Sequence, residues 1–186
     1  DDTLEERLLG KVKSAWMLEM WIQEDTLRSI ESELDVSPGD VNHRVDLMGW
    51  LLAAGQQVLL TDDVFSEEHL PVISNIATTI DMLKQRIRHG CKKDLLQLVN
   101  IKHVGRARAR ELAGMGVRTP NDVLSMNRST RNKLLAKRGW GPLLLDKINT
   151  EVEKVLRRQS TQDGGMSLPK QRDDDVPLSD EFSSDN

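Results

Sequence analysis

Apolar side chains recur every three or four residues along most of the chain, which is the spacing of amphipathic helices. The first such stretch begins at the capping residue Thr3, has acidic side chains in its first turn, and is predicted to reach about Ile22. A shorter helix is predicted over residues 26–34. One face of the first helix should be buried, and its apolar positions are Leu8, Val12, Ala15, Met17 and Leu18.

A strong helix start follows, in which Ser37 can cap, Pro38 can occupy the first turn and Asp40 can complete a capping box. The helix that it opens is predicted to run to about Leu60, roughly 30 Å at about 1.5 Å per residue. Two stripes run along this helix. The apolar stripe, predicted to be buried, is Val41, Val45, Met48, Leu52 and Leu59, and the small and polar stripe, predicted to be open, is Asn42, Asp46, Gly49, Ala53 and Gln56.

A fourth helix is predicted from a cap at Ser66 to His89, with Pro71 delaying its regular part and Gly90 ending it. Beyond Gly90 the predicted helices shorten to about ten residues, the size found in a helix-hairpin-helix pair. The change in helix length at Gly90 and Cys91 predicts a domain boundary there.

The sequence therefore predicts an all-α fold, with a helical bundle over residues 1–90 and a smaller helical domain over 91–158. Residues 159–186 are rich in Ser, Thr, Gln and Gly and then in acidic residues and proline, and they lack apolar periodicity. This tail is predicted to be disordered. The short helices of the second domain are predicted over 94–99, 106–115, 120–125, 129–137 and 142–158.

The turn at Gly105 leads from an apolar run into a helix that carries Arg106, Arg108 and Arg110. This order is typical of a helix-hairpin-helix, which offers backbone N–H groups at a helix N-terminus to a nucleic-acid phosphate. Ala109 stands at the position where the two helices of such a hairpin pack together. The segment therefore predicts a phosphate-binding hairpin surrounded by positive charge.

The same order of apolar run, turn and helix recurs at Gly139, Trp140 and Gly141, with Gly141 lying 36 residues after Gly105. Two such hairpins packed about a pseudo-dyad would form a five-helix unit for DNA. The first copy carries His103 where the first glycine of such a turn normally stands. Trp140 could stack on a base, and burial in the core of the domain is the alternative. The residues of this domain predicted to contact DNA are Lys102, His103, Gly105, Arg106, Arg108, Arg110, Gly139, Trp140 and Gly141.

Charge is strongly partitioned along the chain, although the net charge is only −4. Residues 1–83 hold 5 Lys/Arg against 17 Asp/Glu, whereas residues 84–118 hold 10 against 2 and residues 119–172 hold 11 against 5. Local positive charge governs phosphate binding, so the basic middle favours a nucleic-acid partner, and a merely solvated basic face is the alternative. The single cysteine, Cys91, excludes a disulfide framework and suits a reducing cytosol.

His43 and Trp50 lie seven residues apart on the long helix, within about 20° of each other on a helical wheel. A hydrogen-bond donor followed by an indole on one side of a helix suits a stacked single strand. Packing of Trp50 in the core is an equally open interpretation. No metal is expected, because His43, His89 and His103 do not have the spacing of a ligand set.

The order of these segments resembles the C-terminal part of the archaeal superfamily 2 (Ski-type) DNA helicases that act at stalled replication forks, relatives of the helicase portion of polymerase theta. The resemblance covers roughly residues 5–125 and implies that residues 1–90 are the end of a ratchet bundle. It also implies that residues 91–158 are the terminal helix-hairpin-helix domain. The segments that carry it are WI at 21–22, VSPGD at 36–40, WLL at 50–52, RIRHG at 86–90, LL at 95–96 and IKHVGRARAR at 101–110.

In that family the ratchet helix presents a basic residue and a tryptophan to the tracking single strand. Trp50 matches the tryptophan, while the arginine of the family falls on His43, with Arg44 beside it but turned about 100° away on the helix. The resemblance further implies that the terminal domain grips the emerging strand and acts as a brake. The three arginines of the hairpin would perform that role.

The chain contains neither Gly-x-x-x-x-Gly-Lys-Ser/Thr nor an Asp-Glu-x-His-like box, so it is not expected to bind or hydrolyse ATP by the helicase route. Since it begins without Met or a signal-like segment, we expect it to be a piece of a longer protein. The resemblance implies an ATP-dependent 3′–5′ DNA helicase for repair and recombination at replication forks, with ATP and Mg²⁺ held by motor domains elsewhere. The implied partners are single-stranded or forked DNA and those motor domains.

Two other functions fit parts of the sequence. A helix-hairpin-helix glycosylase or lyase needs a lysine or an aspartate beside a flipped base, and Lys102 and Asp122 are spaced plausibly. Asp122, however, stands in a helix-start signal, where a capping role is the simpler explanation. The other alternative is a docking module, in which Leu178 and Phe182 of the acidic tail engage a sliding clamp or a single-strand binding protein.

Overall fold

The computed structural model describes residues 2–61 and 67–163. All regular elements of these residues are helical, which confirms the predicted all-α fold. The α-helices are α1 (Asp2–Ile22), α2 (Leu27–Leu34), α3 (Pro38–Leu59), α4 (Leu70–His89), α5 (Leu96–Val99), α6 (Arg106–Gly114), α7 (Pro120–Leu124), α8 (Arg128–Leu135) and α9 (Pro142–Asp163), and short 3-10 turns cover Glu67–His69 and Lys93–Leu95.

Capping side chains begin α2 and α3, whereas α1 already begins at Asp2, so the predicted cap at Thr3 is wrong. The hydroxyl of Thr26 accepts the N–H of Ser29 at 3.1 Å and so begins α2. At the start of α3, the N–H of Asp40 donates to the Ser37 hydroxyl at 3.2 Å and the N–H of Ser37 donates back to the Asp40 carboxylate at 2.8 Å. Gly90 adopts the left-handed conformation, with φ at 60°, and ends α4 as predicted.

The start of α4 shows the predicted effect of its proline. The 3-10 turn of Glu67–His69 comes first, α4 begins at Leu70, and Pro71 lies in its first turn. Proline is tolerated there because the first N–H groups of a helix have no partner within it. The predicted cap, Ser66, lies outside the described residues.

The last helix is longer than predicted. It extends to Asp163, so the prediction of disorder is wrong for residues 159–163. The apolar side of α9 continues to Leu156, which packs on the core of the second domain, and this anchor lets the helix continue for two more turns. The rest of the predicted tail, with the proposed docking residues Leu178 and Phe182, lies outside the described residues.

Helix α1 packs against the rest of the bundle through its last two turns. Met17 and Leu18 are buried there, as predicted, whereas Leu8, Val12 and Ala15 are exposed and their predicted burial is wrong. The reason is that the buried clusters of α1 begin only at Met17. The partners of these turns, drawn from α2, α3 and α4, are Ile30, Leu34, Val41 and Ile87.

Helix α3 turns its predicted apolar stripe inward. Val41 is fully buried, and Val45, Met48, Leu52 and Leu59 are half-buried. The second stripe is open at Asn42, Asp46 and Ala53 but half-buried at Gly49 and Gln56, where the prediction is wrong. The cause at Gln56 is α4, since the side-chain amide donates to the carbonyl of Ala77 at 3.3 Å and accepts from Lys84 at 2.8 Å.

The second domain has a core of its own. Its buried side chains come from residues 91–152, whereas the buried clusters of the bundle draw on residues 17–87. Ala109 is fully buried at the predicted packing position, and Leu145 holds the equivalent place in the second hairpin at 2% exposure. This separation of the cores supports the boundary that we predict at Gly90.

Candidate nucleic-acid interface

The two hairpin turns have the same backbone hydrogen bonds. In the first turn, the N–H of Ile101 donates to Leu98 and that of Val104 donates to Ile101, each at 3.0 Å. The equivalent bonds of the second turn, 36 positions later, are made by the N–H groups of Lys137 and Trp140 at 3.0 and 3.2 Å. The repeat seen in the sequence is therefore a repeat of backbone geometry.

Both turns pass through the left-handed region at the same position. His103 has φ at 72° in the first turn, and Gly139 has φ at 87° in the second. A side chain in this region costs about 1–2 kcal/mol, although histidine tolerates it better than most residues do. The histidine that departs from the usual glycine therefore keeps the shape of the turn at some cost in stability.

We expect His103→Gly to raise the free energy of unfolding by about 0.5–1 kcal/mol, because relief of left-handed strain exceeds the entropic cost of a new glycine. Urea denaturation followed by circular dichroism measures the change. Gly139→Ala is the matched control and should lower the same quantity by about 1 kcal/mol. A loss of stability in His103→Gly would mean that the imidazole itself stabilises the turn.

Helix α6 begins without a side-chain cap. Its N-cap is Gly105, which has no side chain to bind the first N–H groups, whereas Thr119 caps α7 and Asn127 caps α8. Uncapped N–H groups and the positive end of the helix dipole attract an anion. The structure therefore provides backbone donors at the turn where the sequence predicts phosphate binding.

A basic cleft of about 530 Å³ opens beside this helix start. Arg88 and His89 line it from the end of α4, Lys102 and His103 from the turn, and Arg108 from α6. The guanidinium of Arg108 donates to the carbonyl of His103 at 2.9 Å, which fixes the arginine over the turn. Burial, with a smaller contribution from Arg88, lowers the pKa of His89, so that histidine adds no charge at neutral pH. Arg88 and His89 were not among the predicted site residues, because both precede the hairpin motif in the sequence.

The second turn meets the first at Trp140. The Arg108 guanidinium lies 5.9 Å from the centroid of the Trp140 ring, and the indole N–H donates to the carboxylate of Glu111. Trp140 is only 6% exposed and belongs to the core of the domain. This placement contradicts base stacking by Trp140, because its ring is occupied by packing. Of the glycines on either side of it, Gly139 is exposed and Gly141 is half-buried.

Two arginines of the predicted DNA-binding set are held by other parts of the chain. The guanidinium of Arg106 lies 4.1 Å from the centroid of the Trp21 ring and donates to the carbonyl of Gly90 at 3.2 Å. Arg110 pairs with Glu24, which follows α1, and with Asp94. No local pattern in the sequence marks Glu24 or Asp94 as a partner of Arg110, since they lie 86 and 16 residues away from it.

The predicted strand-binding residues of α3 lie at the surface. His43 and Arg44 are exposed, and Trp50 is 66% exposed. The interpretation that Trp50 packs in the core is therefore wrong. An indole presented to solvent on the same side of the helix as an exposed imidazole is available for stacking.

Asp122 has the capping role that its sequence context suggests. Its carboxylate accepts the N–H groups of Arg118 and Thr119, each at 2.9 Å, at the start of α7. These bonds lower the pKa of Asp122, so it stays ionised and committed to the backbone. A glycosylase or lyase function loses one of its two candidate residues here, and Lys102 is the other.

Comparisons with known proteins agree with this geometry. A family described as "Archaeal helicase, domain 4" matches residues 1–90. ATP-dependent DNA helicase Hel308 of Caldivirga maquilingensis is 30% identical over 82% of the chain, and that of Pyrobaculum calidifontis is 32% identical over 77%. The chain spans about a fifth of the length of these relatives, at 19% of each. Within the described residues, no helix is both long and apolar enough to cross a membrane. Residues 1–90 therefore match the fourth domain of archaeal helicases, and the chain is similar over most of its length to part of an ATP-dependent DNA helicase.

Proposed function

We propose that this chain grips single-stranded DNA as part of an ATP-dependent 3′–5′ helicase that acts at replication forks. The observation that carries the proposal is the uncapped start of α6, which opens onto the basic cleft. Backbone N–H groups bind a phosphate without reading its base, which suits a grip that must hold any sequence. The exposed Trp50 of α3 supplies a stacking surface elsewhere on the same chain.

The charges around the helix start support this grip. Lys102 is exposed at the turn, and Arg108 is held over it by the carbonyl of His103. Because the guanidinium is already oriented, little side-chain entropy is lost when a phosphate arrives. The order of contacts that we propose is phosphate on the α6 amides, with Lys102 and Arg108 on its oxygens or on the next phosphate.

The remaining parts of the helicase would lie outside this chain. Motor domains would supply ATP binding with Mg²⁺ and would pull the strand that the hairpin holds. Their action on forked DNA, with a role in repair and recombination, is part of the same proposal. Docking of a sliding clamp or a single-strand binding protein on Leu178 and Phe182 stays a prediction.

Fluorescence anisotropy with a labelled oligothymidylate tests the grip over a range of salt concentrations. We expect the double change Lys102→Gln and Arg108→Gln to weaken binding and to reduce the slope of log K against log salt by about 1.4, because two phosphate contacts are lost. Arg128→Gln is the matched control, since it removes one exposed charge. Arg128 is the first residue of α8, whereas the second turn follows the last residue of that helix.

The grip proposal fails if the double variant keeps the slope of the wild-type chain. It also fails if Arg128→Gln lowers the slope as much per charge as the double variant does, since the binding would then follow total charge alone. Base release from a duplex with a damaged base would favour the glycosylase function instead. Each variant is first checked for an unchanged melting temperature.

A further inference from the structure

A charged cluster joins the end of the bundle to the hairpin domain. Arg110 uses four N–H donors on two carboxylates: Nε donates to Glu24 Oε2 at 2.7 Å and Nη2 donates to Glu24 Oε1. Nη1 and Nη2 donate to the two oxygens of Asp94 at 2.7 and 3.1 Å. The N–H of Lys92 donates to the same Glu24 carboxylate at 3.0 Å. Residues from both sides of Gly90 thus meet on one guanidinium.

The backbone conformation at Glu24 brings its side chain into this cluster. Glu24 adopts a left-handed conformation, with φ at 77°, directly after the last turn of α1. Its side chain is only 16% exposed, whereas that of Arg110 is 41% exposed. A shielded carboxylate needs a cation and hydrogen-bond donors to offset its desolvation. Arg110 and the Lys92 amide together meet that need.

A second contact also joins helix α6 to the bundle. The ring of Trp21 lies between the Arg106 guanidinium and the end of α4, where its indole N–H donates to the carbonyl of Ile87 at 2.7 Å. Arg106 in turn donates to the carbonyl of Gly90. On another part of the boundary, the amide of Asn100 donates to the side chain of Gln85 at 3.2 Å. The hairpin helix α6 is therefore fastened to the bundle at two arginines, one helical turn apart.

We propose that Arg110, with Glu24 and Asp94, is a positioning joint that holds the hairpin domain at a fixed orientation to the bundle, rather than a ligand of DNA. The bidentate pairs define both distance and angle, which a single lysine could not do. Arg106 on Trp21 gives the joint a second fixed point. Arg108, between these two arginines in the sequence, points to the turn and carries the phosphate contact.

The relative orientation of the two domains can be measured without DNA. Spin labels at Gln57→Cys on α3 and Asn132→Cys on α8 report the distance distribution between the domains by double electron–electron resonance, and both sites are exposed. The native thiol of Cys91 is fully buried and burial raises its pKa to about 11, so it stays unlabelled. We expect a narrow distribution for the wild-type joint and at least a doubling of its width in Arg110→Gln.

Three further variants and one control separate a joint from a DNA ligand. Glu24→Gln should broaden the distribution as Arg110→Gln does, and the double variant should broaden it no further. Arg110→Lys, which keeps the charge but loses the fork, should broaden it as well. Arg108→Gln is the matched control and should leave the width unchanged. Melting curves identify any variant in which unfolding broadens the distance distribution. If Arg110→Gln is such a variant, the more conservative Arg110→Lys tests the joint in its place.

Unchanged widths in both Glu24→Gln and Arg110→Gln would overturn the joint. So would tighter single-strand binding with a steeper salt slope in Glu24→Gln, because Arg110 would then be a phosphate ligand that Glu24 withholds. In the joint interpretation, Arg110→Gln leaves the salt slope as it is. If the wild-type chain binds no single-stranded DNA, the grip proposal fails while the distance measurement still decides the joint.

Discussion

Gly90→Ala should destabilise the chain by about 3 kcal/mol, the largest effect that we expect from a single methyl group. The φ of 60° alone makes a side chain at this position unfavourable. In addition, a Cβ atom would come within 2.6 Å of Trp21 Cζ2 and within 2.9 Å of Arg106 Nη1. Both neighbours belong to the second contact of the joint, so the methyl group would separate the ring from the guanidinium. Thermal denaturation should show a fall in Tm of about 6–12 °C.

Gly116→Ala is the matched control for the cost of a left-handed backbone alone. Gly116 has φ at 83° and no heavy atom within 4 Å of an added Cβ, so this change adds strain without a steric clash. We expect a loss of about 1 kcal/mol and a fall in Tm of about 2–4 °C. Equal losses in the two variants would show that Trp21 yields freely to the methyl group. The close packing at Gly90 would then carry no stability.

The helix ends were predictable because their causes are local. The Ser37 capping box and the glycine stop at Gly90 each follow from a few neighbouring residues. The same holds for the repeat of the hairpins, since each turn determines its own hydrogen bonds. Short-range chemistry of this kind does not depend on what the rest of the chain does.

Arg106, Arg108 and Arg110 show where sequence reasoning stops. They alternate along one short helix, and the sequence gives them the same role. Their directions differ because α6 turns each residue by about 100° from the next, so that the three face different surroundings. Only the three-dimensional structure shows that Arg110 forms an ion pair with Glu24 and that Arg106 lies over the ring of Trp21. Contacts across such sequence distances depend on how helices pack, which helical periodicity does not encode.

Two of the tryptophans show the same limit of what the sequence predicts. Trp50 and Trp140 each occupy a position where core packing and base stacking were both open. The structure buries Trp140 under the start of α6 and leaves Trp50 in solvent. The difference is decided by neighbouring elements, because Arg108 and Glu111 of α6 lie against Trp140 while no side chain of the described residues covers most of the Trp50 ring.

Trp50→Ala should weaken binding of the chain to an oligothymidylate by about 5- to 150-fold, since one base–indole stack contributes about 1–3 kcal/mol. Its Tm should stay within about 2 °C of the wild-type value, because the ring is 66% exposed and little packing is lost. Anisotropy titration and thermal denaturation on the same preparations measure both quantities. His43→Ala on the same side of α3 should give a smaller loss of affinity, because an imidazole provides less stacking area.

Trp16→Ala is the matched control, since Trp16 is 52% exposed on another helix, α1, and belongs to neither proposed DNA contact. Loss of affinity in both variants would show that exposed indoles bind the strand without regard to position. Loss of stability in Trp50→Ala alone would make Trp50 a packing residue. An effect confined to Trp50 would place α3 on the strand, and the joint at Arg110 would then hold two DNA-binding surfaces of one chain at a fixed separation. Fixed separation raises the effective concentration of the second contact once the first has formed.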